Sequence, residues 1–84
     1  MSVSPDVVSE VIEGQAVLLN LRSGKYFRLN RTGTVVWQEL ERGQSPEAAS
    51  ASLAREFGEP EDRVRQDVDA ILTELVAKGL VEPK

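Results

Sequence analysis

Carboxylates are the side chains of this sequence whose grouping could support catalysis or metal binding. They concentrate between residues 59 and 74, as Glu59, Glu61, Asp62, Asp67, Asp69 and Glu74. Such a run could hold a hard cation or supply an acid/base pair. However, the macrodipole favours acidic residues at a helix start by about 0.3–1 kcal/mol each, and the run lacks the spacing and central glycine of an EF-hand loop. We therefore predict a solvated helix terminus, with no metal site and no cofactor.

Cysteine and histidine are both missing from the sequence. The chain therefore has no thiolate nucleophile, no imidazole base and none of the usual nitrogen and sulfur ligands of zinc. Its serine and threonine hydroxyls have no histidine to deprotonate them. We expect a protein that is not an enzyme and has no catalytic residues.

The length and charge limit the remaining classes. The 84 residues suffice for one domain, 1–84, of which we expect about 7–82 to be ordered, and the net charge is −4. An acidic chain is a poor match for phosphates, so no nucleic-acid partner is expected. No apolar run approaches the roughly 20 residues that span a bilayer, and residues 1–5 lack the features of a signal peptide. We expect a cytoplasmic protein with no membrane partner.

Three strands are predicted in the first third of the chain, at residues 7–12, 16–21 and 25–29. In the second strand, Val17, Leu19 and Leu21 alternate onto one face, which is typical of a half-buried sheet. In the third, Phe27 and Leu29 share one face while Tyr26 and Arg28 occupy the other. Short turns between the strands predict an antiparallel meander.

Three helices follow. The first is predicted to begin at Asn30 or Thr32 and to end at Gly43, with Trp37 in the core; the second begins at Ser45. The third opens at residues 60–62 and runs to Gly79, after which residues 80–81 are expected to be extended. Its apolar residues recur at steps of three and four, as Val64, Val68, Ile71, Leu72, Leu75 and Val76. The sequence thus predicts an α+β fold like a winged helix-turn-helix, with a three-stranded antiparallel sheet followed by three helices.

A winged-helix outline raises the alternative of DNA binding. In that geometry the start of the second helix of the pair enters the major groove. Here that start carries Glu59, Glu61 and Asp62, which Arg63 and Arg65 do not outweigh. DNA binding stays open only as a disfavoured alternative.

The third strand is a candidate edge. An unpaired outer strand is a template for another chain, and the aromatic and arginine side chains of Tyr26 and Arg28 are enriched at interfaces. Two alternatives remain open. Phe27 and Leu29 could be core residues whose neighbours merely face solvent, and the edge could pair with a second copy of the chain.

The residues of this strand and of the helices also resemble a known family. The stretch from Gly24 to Gly33, GKYFRLNRTG, combines an aromatic pair with Leu-Asn and a small residue, and Val36-Trp37 follows on the next helix. The later Asp67-Val68 and the ending Gly79-Leu80-Val81 match as well. Over about residues 7–82 the chain resembles the PqqD-like peptide chaperones.

This resemblance implies a function. Members of the family bind the leader segment of a ribosomally made precursor peptide, which adds as a strand against the third strand and lies in a groove beside the third helix. On the strand this implies Lys25, Tyr26, Phe27, Arg28 and Leu29 as peptide-binding residues. On the helix it implies Val64, Asp67, Val68, Ile71 and Leu72, with Asp67 and Arg28 as polar contacts at the rim of an apolar pocket.

The resemblance also implies partners. The chain looks most like the separate leader-binding protein of lasso-peptide biosynthesis, which delivers a leader carrying a Tyr-x-x-Pro motif to a separate cysteine protease and then to a cyclase. The alternative branch is a chaperone for a radical enzyme in quinone-cofactor biosynthesis.

Overall fold

The computed structural model describes residues 1–83. Five strands and three helices follow one another in the chain. The strands are β1 (Ser2–Val3), β2 (Val7–Ile12), β3 (Gln15–Asn20), β4 (Lys25–Arg28) and β5 (Val81–Glu82). The helices, α1 (Arg31–Glu41), α2 (Pro46–Phe57) and α3 (Glu61–Ala77), all lie between β4 and β5. The α+β fold predicted from the sequence is confirmed.

The main sheet has the antiparallel order β2-β3-β4. A two-residue turn at Glu13 and Gly14, with φ of 53° and 80°, joins β2 to β3 and pairs Ile12 with Gln15. Both turn residues are left-handed, as the tightest hairpins require. At the other side of β3, Leu19 pairs with Tyr26. β3 is therefore central, and β2 and β4 are its two edges.

The helix starts follow from local chemistry. The Oδ1 of Asn30 accepts a hydrogen bond from the N–H of Gly33 at 2.8 Å, and the Oγ of Ser45 accepts one from the N–H of Ala48 at 3.1 Å. These caps satisfy N–H groups that have no partner within the helix. Gly58 ends α2 in the left-handed conformation, with φ of 65°. The predicted caps at Asn30 and Ser45 are confirmed.

The core lies between one face of the sheet and the helices. Leu18, Trp37, Leu53, Val68 and Leu80 are among its fully buried side chains. The N–H of Ala16 donates to the buried Oγ1 of Thr34 at 2.9 Å and so fastens β3 to α1. The core position predicted for Trp37 is confirmed. Among residues 1–83, no helix is both long enough and apolar enough to cross a bilayer.

The buried face of β3 differs from the sequence interpretation. Ala16, Leu18 and Asn20 face the core, whereas Val17 and Leu19 are half-buried on the opposite face and Leu21 lies exposed in the following turn. Four consecutive apolar residues, 16–19, leave alternation unable to choose a face. Burial of the polar Asn20 is possible because its Oδ1 accepts a hydrogen bond from the N–H of Arg22 at 2.9 Å.

Both chain ends carry regular structure that was only half foreseen. The extended segment predicted after Gly79 is present as β5, whereas the sequence predicts no regular structure before residue 7. Instead, Ser2 pairs with Glu82 and Val3 with Val81 in a short antiparallel ladder. Val3 also packs against the core, which explains why this segment is held.

Candidate functional site

β4 presents an open backbone edge. Among residues 1–83 it pairs with β3 alone. The N–H of Leu29 donates to the carbonyl of Ala16 at 2.9 Å. Because backbone direction alternates along a strand, residues 25, 27 and 29 turn their polar groups toward β3, and Tyr26 and Arg28 turn theirs away. The N–H and C=O groups of Tyr26 and Arg28 are therefore available to an added strand.

A depression of about 170 Å³ lies between the end of β4 and the C-terminal half of α3. Lys78 stands at its end, with Nζ 5.5 Å from the centre of the Phe27 ring and 3.8 Å from Oε1 of Glu74. The walls are formed by Arg28, Leu29, Asn30, Gly33, Ile71, Glu74, Leu75 and Lys78. This lining combines apolar side chains with charged ones, which suits an extended peptide more than a small reactive molecule.

A second depression, of about 210 Å³, continues along the N-terminal half of α3. Its walls are Thr32, Leu53, Phe57, Glu59, Val64 and Asp67. The guanidinium of Arg31 lies 5.4 Å from the centre of the Phe57 ring and 3.5 Å from Oε2 of Glu56. The α3 residues of both depressions are spaced three and four apart and so lie along one stripe. We call the two depressions together the α3 groove.

Gly33 lies where the start of α1 meets the groove. A Cβ atom at this position would lie 3.3 Å from Cβ of Leu29 and 3.3 Å from Oδ1 of Asn30. A larger residue would therefore press on the end of β4 and on the cap of α1. Glycine lets α1 begin directly against the strand, between the two depressions.

The structure brings half of the sequence-predicted residues to this groove. Arg28, Leu29 and Ile71 line the first depression, and Val64 and Asp67 line the second. Phe27 is partly buried beneath Lys78 on the same side of the sheet.

Other predicted residues lie elsewhere. Tyr26 is 71% exposed on the opposite face of the sheet, and Lys25 is exposed at the start of β4. Val68 is fully buried in the core. Leu72 is nearly so, and it borders a different depression, beside Met1, on another side of α3. A charged substitution at Val68 would therefore test folding rather than peptide contact.

Several groove residues were missed by the sequence interpretation. Glu74, Leu75 and Lys78 follow Ile71 at helical spacing, so the stripe that identified Ile71 could have been extended by two turns. The sequence indicates Asn30 as a helix cap and places Asn30 and Gly33 in the family signature, but neither interpretation assigns them to a groove. No sequence signal indicated that Phe57 and Glu59 would face Asp67.

The charge network on another side of α3 is structural. Arg65 contacts Oε2 of Glu47 at 3.1 Å and Oδ1 of Asp69 at 2.8 Å, and it thereby links α2 to α3. The pKa of Glu47 lies below its ordinary value. The largest cause is a backbone hydrogen bond in the first turn of α2, and the contacts with Arg65 are the next largest. Within residues 1–83, no three acidic side chains gather where they could hold a metal ion.

Comparison with known proteins gives three findings. The family described as coenzyme PQQ synthesis protein D (PqqD) matches residues 15–81. The structure of TbiB1 in complex with the TbiA(beta) leader peptide is 34% identical, with a TM-score of 0.95 over 100% of this chain and 98% of that one. A lasso peptide synthetase B1 complexed with the leader peptide is 30% identical, with a TM-score of 0.86 over 96% of this chain and 95% of that one. No curated protein matches the sequence.

Proposed function

This chain belongs to the PqqD family, and on that premise we propose that it binds the leader segment of a ribosomally made precursor peptide. The leader adds as a strand to the free edge of β4 and places side chains in the α3 groove. The observation that carries this proposal is the edge of β4, which is unpaired within residues 1–83 and lies beside a groove lined by both apolar and charged side chains. The two similar structures support it, since each contains a leader peptide.

Recognition divides between main chain and side chains. Hydrogen bonds to the outward groups of Tyr26 and Arg28 contribute about 0.5–1.5 kcal/mol each, regardless of the guest sequence. A leader aromatic side chain buries roughly 150–250 Å², which is worth several kcal/mol before ordering costs are subtracted. The edge therefore supplies affinity for any extended guest, while the α3 groove selects the sequence and fixes the register of the guest.

The protein has a presenting role in this proposal. Its groove holds the leader, and the rest of the precursor extends away to enzymes that cut and close it. We infer a separate cysteine protease, followed by a cyclase, as these partners, because one of the two similar structures is a lasso peptide synthetase B1 and both contain a leader peptide. The encounter takes place in the cytoplasm, where ribosomes release the precursor.

Titration of a labelled leader tests the proposal. The probe is a synthetic leader peptide that carries the Tyr-x-x-Pro motif and a fluorescein label, and fluorescence anisotropy measures binding. We expect saturation at one leader per chain, with Kd in the micromolar range or below, corresponding to about 8 kcal/mol or more. The control is a scrambled leader of the same composition, which can still offer a backbone. Equal affinity for both peptides would refute sequence-selective leader binding.

A further inference from the structure

The side of the main sheet that faces away from the helices, here called the outer face, is unusually apolar. An antiparallel sheet with one solvated face normally alternates apolar and polar residues. Here Val8, Ile12 and Tyr26 are 50%, 47% and 71% exposed. The apolar members of this face border a shallow depression of about 310 Å³ and are Val8, Ile12, Val17, Leu19 and Tyr26. A contiguous apolar surface of this kind is typical of an interaction site.

The strand register arranges this face in rows. Each row runs from β2 across β3 to β4, and two complete rows are Val8-Leu19-Tyr26 and Glu10-Val17-Arg28. The first row is apolar throughout. The second has a negative charge at one end and a positive charge at the other, with Val17 between them. Among residues 1–83, neither Glu10 nor Arg28 forms a salt bridge.

This pattern is complementary to itself. A twofold axis that runs parallel to β3 and lies just above the outer face, parallel to the plane of the sheet, turns one outer face onto another and places β2 of each copy over β4 of the other. It therefore places Glu10 of each copy over Arg28 of the other, Val8 over Tyr26, and Leu19 over its own counterpart. Sheets that pack face to face keep their strands within about 30° of each other, and this axis satisfies that condition because it keeps β3 of the two copies parallel.

We propose that two copies of this chain associate through their outer faces in this orientation. The interface is isologous, as in most homodimers. Three strands span only about 15 Å, so the contact area is small and the dimer is weak and concentration-dependent. The backbone edge of β4 points away from the contact, and of the six residues in the two rows Arg28 alone also lines the α3 groove. Glu10→Arg and Leu19→Lys change no residue of that groove, so they test the dimer separately from the proposed leader binding.

Sedimentation equilibrium of the whole chain tests the dimer. Between about 10 µM and about 1 mM, the average mass should rise from that of the monomer toward that of the dimer. Leu19→Lys places two like charges on the axis and should keep the chain monomeric throughout, with an unchanged circular dichroism spectrum. Wild-type protein that stays monomeric over the whole range would overturn the proposal.

A charge exchange supplies the second test and does not depend on how Leu19→Lys folds, because Glu10 and Arg28 are both exposed. Glu10→Arg alone and Arg28→Glu alone bring like charges together, and each should weaken association by about tenfold. The double variant restores the opposite-charge contacts and should return to within about twofold of wild type. A double variant as weak as the single ones would contradict this orientation. The orientation would also be contradicted if none of these charge changes weakened the dimer but Ser9→Pro abolished it. That result would mean that two copies pair through the edge of β2.

Discussion

β4 and β2 are the two open edges of one sheet, and they differ in what lies beside them. Because residues 16, 18 and 20 of β3 turn toward β4, residues 15, 17 and 19 turn toward β2, which leaves Ser9 and Val11 with outward backbone groups. The edge of β2 adjoins the end of α1, where the Oγ of Ser9 donates to Oε2 of Glu41 at 2.7 Å. The edge of β4 adjoins the α3 groove.

This difference separates two requirements for peptide recognition. Both edges can offer main-chain hydrogen bonds to any extended chain, and such bonds do not distinguish sequences. The outer-face depression is shared by all three strands, whereas the α3 groove lies beside β4 alone and can select one peptide. If this account is correct, changes at β4 and its groove affect leader binding, while equivalent changes at β2 do not.

The largest effect is expected from the groove wall. Ile71→Ala removes apolar surface from the first depression and should weaken leader binding by about tenfold, since each buried methylene contributes up to about 0.8 kcal/mol. Val76→Ala is the matched control, because Val76 is a partly buried residue of the same helix that borders the depression beside Met1. Anisotropy titration measures both. Similar losses in the two variants would place the leader away from the groove.

A smaller effect is expected from the edges themselves. Tyr26→Pro removes an outward N–H of β4 and should weaken leader binding by about fivefold, equivalent to one lost hydrogen bond. Edge strands tolerate proline where the N–H faces away from the sheet, so the pairing with β3 survives. Ser9→Pro makes the same change at β2 and should leave the affinity unchanged, while Tyr26→Ala separates the loss of the ring from the loss of the N–H. A greater loss of affinity for Ser9→Pro than for Tyr26→Pro would place the leader at the edge of β2 and contradict the account.

The smallest effect is expected on the stability of the fold, from Glu47 on α2, which lies away from both edges of the sheet. The lowered pKa of Glu47 means that its ionised form stabilises the fold above the ordinary pKa of about 4.5, and this contribution disappears as the pH falls through the lower value. The free energy of unfolding of Glu47→Gln should therefore fall less than that of wild type between about pH 7 and about pH 3. The difference should be small, because the ion pair of Glu47 with Arg65 is exposed to solvent. Urea unfolding at both pH values measures this difference. Leader affinity at neutral pH should be unchanged, and a loss there would connect this side of α3 to the site.

The sequence predicted the fold well because its boundaries depend on local chemistry. Asn30 and Ser45 cap helices in the way their types and positions indicated, and Gly58 ends one. The buried face of β3 was not predictable, since residues 16–19 are all apolar and only the docking of α1 decides between the faces. The pairing of Ser2 with Glu82 joins the two ends of the chain and leaves no local signal.

The candidate site was predictable only where a local sequence pattern specifies it. The edge position of β4 follows from strand order, and Ile71 follows from helical spacing. The place of Tyr26 on the outer face depends on which side of the sheet the helices cover, because alternation alone separates Tyr26 from Phe27 without saying which of them faces α3. The contribution of Phe57 depends on the packing of α2 against α3, which no local pattern specifies.

Amide hydrogen exchange followed by NMR is the most direct test of strand addition to β4. The N–H groups of Tyr26 and Arg28 face solvent in the free protein, so they should exchange quickly without leader and become strongly protected when leader is bound. The N–H groups of Ser9 and Val11 should exchange at the same rate in both states. Protection of Ser9 and Val11 instead, or saturated leader binding with no protection at Tyr26 and Arg28, would contradict the account.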